Sequence, residues 1–94
     1  MERREHILKT DRIKFKSLFD GTMNYTVRTN DRNFGKGDVL IFKETEYTGI
    51  EMRENGCPLM YTGRELICTI TEFFVDWDKV KLVVEVLKKI DGVE

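Results

Sequence analysis

The chain has 94 residues, 40% of them hydrophobic and 35% charged, with a formal net charge of −1. That length fits one domain, residues 1–94, with a modest core, and the near-neutral balance excludes a molecule-wide attraction to nucleic acid or acidic membrane, so a nucleic-acid site has to be a local patch. No apolar run is long enough for a transmembrane helix, and the opening MERREHILKT lacks the apolar stretch and cleavage site of a signal peptide, so the expected setting is the cytoplasm with reduced thiols.

His6 to Thr10 reads as a short strand, and Asp11 is placed to cap a helix from Arg12 to Asp20. Phe15, Leu18 and Phe19 share one face of that helix and belong to the core, with Gly21 as its left-handed stop. Met23 to Thr29 alternates: Met23, Tyr25 and Val27 on one side, Asn24, Thr26 and Arg28 on the other, the pattern of a half-buried strand. It runs into RTNDRNFGKGD, residues 28–38, a polar stretch in which Gly35, Gly37 and Asp38 are expected to shape a turn. Val39 to Lys43 is an apolar strand covered on both faces.

Residues 44–60 read as an irregular surface excursion, with a turn at Asn55-Gly56 and a short internal hairpin that uses Gly49–Arg53 as one arm. Tyr61 to Glu65 then lead into a strand, LICTITEFF, followed by a connection over Val75–Lys79 in which Trp77 is expected to sit half exposed at the edge of the core. Val80 to Leu87 fits both a strand and a helix by spacing, and its β-branched content favours a strand. The basic pairs Arg3-Arg4 and Lys88-Lys89 read as solvated ends. The resulting fold class is α+β, mainly β: about five mostly antiparallel strands and a short helix, closing or nearly closing into a small barrel.

Cys57, Cys68 and His6 show no metal-ligand spacing, so neither a metal site nor a cofactor is expected, and both cysteines read as structural or incidental residues.

Several of these segments carry a resemblance. HILK near the start, a helix ending in glycine, a strand ending at Arg28-Thr29-Asn30-Asp31-Arg32, then Phe34 to Leu40 and later YTGREL are similar to the DUF3850 family, within the ASCH group of PUA-like domains. The resemblance spans His6 to about Leu87, and RTNDRNFGKGDVLIFKE and YTGRELICTIT are its most specific parts. It implies a pseudo-β-barrel of about five strands with one or two short helices, a helix packed beside a cleft, and a role in binding RNA or a modified nucleotide. Some ASCH proteins are amidohydrolases acting on an N4-acylated cytidine through the motif G-x-K-x-x-T-x-R. Here Gly21, Thr26 and Arg28 match, Met23 stands at the lysine position, and no acid matches the glutamate, with Glu72, Asp76 and Asp78 the nearest. Thr26 is the nucleophile only if the chain is such a hydrolase, and methionine cannot supply the base.

The expected ligand cleft is lined by Lys9, Thr26, Arg28, Asn30, Arg32, Tyr61 and Arg64. The arginines suit phosphate, Asn30 a base edge and Tyr61 base stacking. Each also has a plainer role: a solvated lysine, a good strand former, polar turn residues, a surface pair of Arg64 with Glu65. Asp31 is assigned to structure. A third reading makes residues 44–60 the contact surface for a protein partner.

Overall fold

A computed structural model describes residues 4–92, so Arg3 of the first basic pair lies outside the described residues. The elements are β1 (Glu5–Asp11), α1 (Arg12–Phe19), β2 (Tyr25–Thr29), β3 (Val39–Thr45), α2 (Gly49–Asn55), β4 (Tyr61–Asp76) and β5 (Lys79–Ile90). They form one five-stranded sheet in the order β1-β3-β4-β5-β2. The β1–β3 pair is parallel and the other three are antiparallel. The sheet curls into a half-barrel that brings its two outer strands, β1 and β2, face to face across a seam.

The first helix begins where the sequence places its cap: the Asp11 carboxylate accepts from the backbone N–H groups of Ile13 and Lys14. It buries Phe15 and Leu18 against Leu8, Leu40, Phe42, Leu66 and Leu82 of the sheet, with Phe19 and Met23 partly buried alongside. The inward positions of four strands follow period two: His6, Leu8 and Thr10 of β1, Leu40, Phe42 and Glu44 of β3, Leu66, Cys68 and Ile70 of β4, Val80, Leu82 and Val84 of β5.

Three expectations are corrected. The Gly49–Arg53 segment is no hairpin arm; it lies in α2, where Thr48 and Glu51 form a reciprocal capping box and Gly56 closes the helix in the left-handed region at φ 70°. Residues 44–60 are thus less irregular than expected, since Glu44 and Thr45 also extend β3. The connection between the last two strands is only Trp77-Asp78, and Trp77 is 93% exposed at the tip with φ 58°, far from the core edge. In β2 the alternation holds but the buried side is the polar one: Thr26 points in and Tyr25 and Val27 point out.

The turn at residues 35–38 is fixed by the Asp38 side chain. Its carboxylate accepts from His6 Nε2 at 2.9 Å, from the Gly35 N–H at 2.9 Å and from the Arg4 N–H at 3.3 Å. The His6 ring also packs on Phe34, with centroids 4.7 Å apart. Burial alone raises the Asp38 carboxyl, but the bonds from His6, Gly35 and Arg4 outweigh it and hold the group below its ordinary 3.8. Gly37, at φ 90°, takes the backbone conformation that a side chain disfavours.

Candidate functional site

The seam between β1 and β2 has no backbone ladder among the described residues and is bridged by arginine side chains. Arg28 enters from β2. Its Nε donates to Thr26 Oγ1 at 3.2 Å, Nη1 to the Lys9 carbonyl at 3.0 Å and Nη2 to Thr10 Oγ1 at 3.0 Å. Arg32 Nη1 donates to the Ile7 carbonyl at 2.9 Å. Ile7 and Lys9 are alternate residues of β1, so the arginines meet carbonyls on the strand edge that β3 does not use. Burial lowers the Arg28 pKa, the neighbouring Arg32 charge lowers it further, and Asp11 opposes both. All three Arg28 acceptors are uncharged oxygens, so its positive charge has no carboxylate on it.

Four elements bring cations to the mouth of this seam. Lys9 of β1, Lys14 of α1, Arg28 of β2 and Lys79 of β5 line one groove of about 300 Å³, with Asp11 its single acid. The Asp11 carboxylate is already engaged by the first helical turn. Among the described residues none of the four cations forms an ion pair, whereas Arg12, Lys36, Lys43 and Arg64 all lie within 4.0 Å of a glutamate. A chain of net charge −1 thus keeps a local excess of positive charge, four cations against one carboxylate.

The residues expected to share one cleft separate into several places. Lys9 and Arg28 meet in the basic groove; Arg28 and Arg32 also line a smaller one of about 190 Å³ with Asp31 and Phe34. Thr26 is only 6% exposed and lies behind the Arg28 side chain. Asn30 is exposed, its backbone N–H held by the Asp78 carbonyl at the tip of the last hairpin. Arg64 is elsewhere: it stacks over Phe15 and Phe19 at 5.3 and 4.7 Å and pairs with buried Glu44 at 3.7 Å, along a separate groove flanked by Arg12 and Lys16 of α1. Its partner is therefore Glu44, while Glu65 pairs with Lys43. Tyr61 is exposed on β4 with Lys43 Nζ 5.4 Å from its ring, outside the basic groove.

Lys14, Lys79 and Glu44 are the residues that sequence reading missed. Glu44 had a signal, because Leu40, Phe42 and Glu44 alternate and the first two face the core. Lys14 and Lys79 had none, since only the curl of the sheet brings a helix and a distant hairpin strand together. The Met23 side chain packs against the core and offers no base to Thr26. Burial pushes the Cys68 thiol up to about 12, so it stays protonated and acts as a core residue.

Residues 5–82 match the profile of a domain of unknown function, DUF3850. The chain belongs to the DUF3850 family. No curated protein matches it. The matched span takes in every strand and helix, with β5 covered as far as Leu82, so this DUF3850 domain includes the whole seam and all four groove cations. No described helix is long and apolar enough to cross a membrane.

Proposed function

We propose that this DUF3850 domain is a binding module of the ASCH/PUA-like type for RNA or a modified nucleotide, and that it holds the ligand's phosphate in the groove at the β1–β2 seam. The observation that carries the reading is Arg28: a half-buried guanidinium with only neutral acceptors, beside three lysines that form no ion pair among the described residues, in a groove with Asp11 as its one acid. Three bonds leave its planar fork with further N–H groups to offer, and a phosphate oxygen is a better acceptor for them than water. An incoming anion also relieves the repulsion between Arg28 and Arg32 that lowers the Arg28 pKa, after the larger effect of burial. A cytoplasmic setting suits such a ligand.

The lysines give the cleaner test, because neither carries the seam. Lys14 and Lys79 are both exposed, so a Lys14→Ala/Lys79→Ala variant is expected to keep wild-type thermal stability. Its affinity for a short single-stranded RNA or for cytidine 5′-monophosphate is expected to fall about tenfold, and wild-type affinity to fall with added salt. An amide NMR titration reads both, with shifts expected at Lys9, Lys14, Arg28 and Lys79. Equal affinities for variant and wild type, or binding indifferent to salt, would remove the groove from consideration.

A further inference from the structure

The basic groove has a neighbour of different chemistry. On the other side of Lys9, Thr10 and Asp11 lies a second hollow of about 290 Å³, walled by Met52 of α2 and Leu59 of the following loop and floored by Thr45 and the Gly49 backbone. The two hollows share Lys9, Thr10 and Asp11, so they are adjoining lobes of one depression, one cationic and one mostly apolar. The hydroxyls of the apolar lobe are already committed: Thr45 Oγ1 donates to the Tyr47 carbonyl, and Thr10 Oγ1 donates to the Leu8 carbonyl and accepts from Arg28. Away from Lys9 and Asp11 at the shared rim, what remains on offer is apolar surface, which recognises a flat ring by its face rather than by its polar edge.

We infer that the depression takes a single nucleotide unit, with its phosphate among Lys9, Lys14, Arg28 and Lys79 and its base in the lobe beneath α2 against Met52 and Leu59. This deepens the nucleotide-binding reading and rests on it. Charge fixes the orientation, since the apolar lobe offers an anion only the shared Lys9, next to Asp11, whereas the other lobe offers four cations. The size of the depression fixes the unit. Each lobe is near 300 Å³, at the lower end of the roughly 300–1,000 Å³ of small-molecule sites. A continuous RNA strand needs successive stacking platforms, and no aromatic residue lines either lobe. The occupant is therefore a free nucleoside monophosphate.

Gly49 provides the test. Gly49 lines the lobe, and a Cβ built there meets nothing within 4 Å, so a side chain can be introduced at the lobe's wall without a clash at its first atom. Leucine at this first position of α2 also suits a helix better than glycine does. Binding of adenosine 5′-monophosphate, cytidine 5′-monophosphate, ribose 5-phosphate and a tetranucleotide is measured by calorimetry on wild type, Gly49→Leu and Leu59→Ser. Both mononucleotides are expected to bind wild type about tenfold more tightly than ribose 5-phosphate, which lacks a base. Gly49→Leu is expected to erase that margin while leaving ribose 5-phosphate unchanged, and Leu59→Ser to narrow it. Equal binding of ribose 5-phosphate and mononucleotides to wild type would refute the base lobe and leave the phosphate groove standing. A tetranucleotide that binds far more tightly than either mononucleotide, with no response to Gly49→Leu, would overturn the single-unit assignment in favour of a strand. No binding of any of the four would defeat the nucleotide reading itself.

Discussion

Replacing Asp38 with alanine is expected to destabilise the fold by about 3 kcal/mol, the largest single-residue effect outside the apolar core. The carboxylate is the common acceptor for His6 Nε2 and for the Gly35 and Arg4 N–H groups, and Asp38 is only 6% exposed. Alanine leaves those donors without a partner where water reaches poorly, and it unties the 35–38 turn from the start of β1. For a domain of this size the melting temperature should fall by roughly 15 °C. Asp38→Asn separates the charge from the shape. The folded Asp38 carboxyl lies below its ordinary 3.8, so the unfolded chain takes up the proton first as pH drops. The stabilisation from the charge is therefore complete above the unfolded value of about 4 and is lost as pH falls through the lower folded value. The stability gap between wild type and Asp38→Asn, read from denaturant melts between neutral pH and pH of about 3, should shrink towards the acid end. A gap that widens on acidification would contradict this account of the carboxylate.

Arg28→Ala is expected to cost about 2 kcal/mol, a fall of roughly 10 °C in melting temperature. The guanidinium ties β2 to β1 through bonds to the Lys9 carbonyl and Thr10, is braced by Thr26 of its own strand, and also covers the Phe42 ring at 5.9 Å. Arg28→Lys keeps the charge but cannot span three acceptors, so it should recover less than half of the loss. Because Arg28 serves both the seam and the groove, alanine there should weaken folding and ligand binding together, whereas the Lys14/Lys79 pair should touch binding alone. A melting temperature for Arg28→Ala within about 2 °C of wild type would mean that the seam does not depend on this side chain.

Much of the architecture was legible from local signals. Asp11 before Arg12, the Phe15–Leu18–Phe19 face and the valine alternation of β5 each specify an element through a short-range rule, and each element forms. The α2 helix was legible too, through Thr48, Glu51 and Gly56, but a span with Asn55-Gly56 and Pro58 reads first as turns. The site was less legible, because its geometry comes from curvature. Alternation in β2 cannot say which side is inward, and here the seam draws in Thr26 and Arg28 because β1 offers free carbonyls to be met. For the same reason Arg64, a sequence neighbour of Tyr61, turns to the aromatic face of α1 and leaves the groove to Lys14 and Lys79, which no spacing links to Arg28.

The sheet order also dictates a sequence of events in folding. The central strands β3, β4 and β5 follow one another along the chain, and β4 and β5 are joined by only Trp77-Asp78, so their ribbon closes over the shortest loop. The rims come from the N-terminal third, and β2 must find β5 across the span from Tyr25 to Val83. Such distant pairing gains nothing until the ribbon exists, so the ribbon forms early and β2 docks late, the slow step of a topology rich in non-local contacts. The same logic runs backwards in the native state. The five-residue β2, held on one side by backbone and on the other by arginines, should be the first strand to open. Native-state hydrogen exchange would show this as faster exchange in Tyr25–Thr29 than in Leu66–Ile70, and the reverse order would refute it.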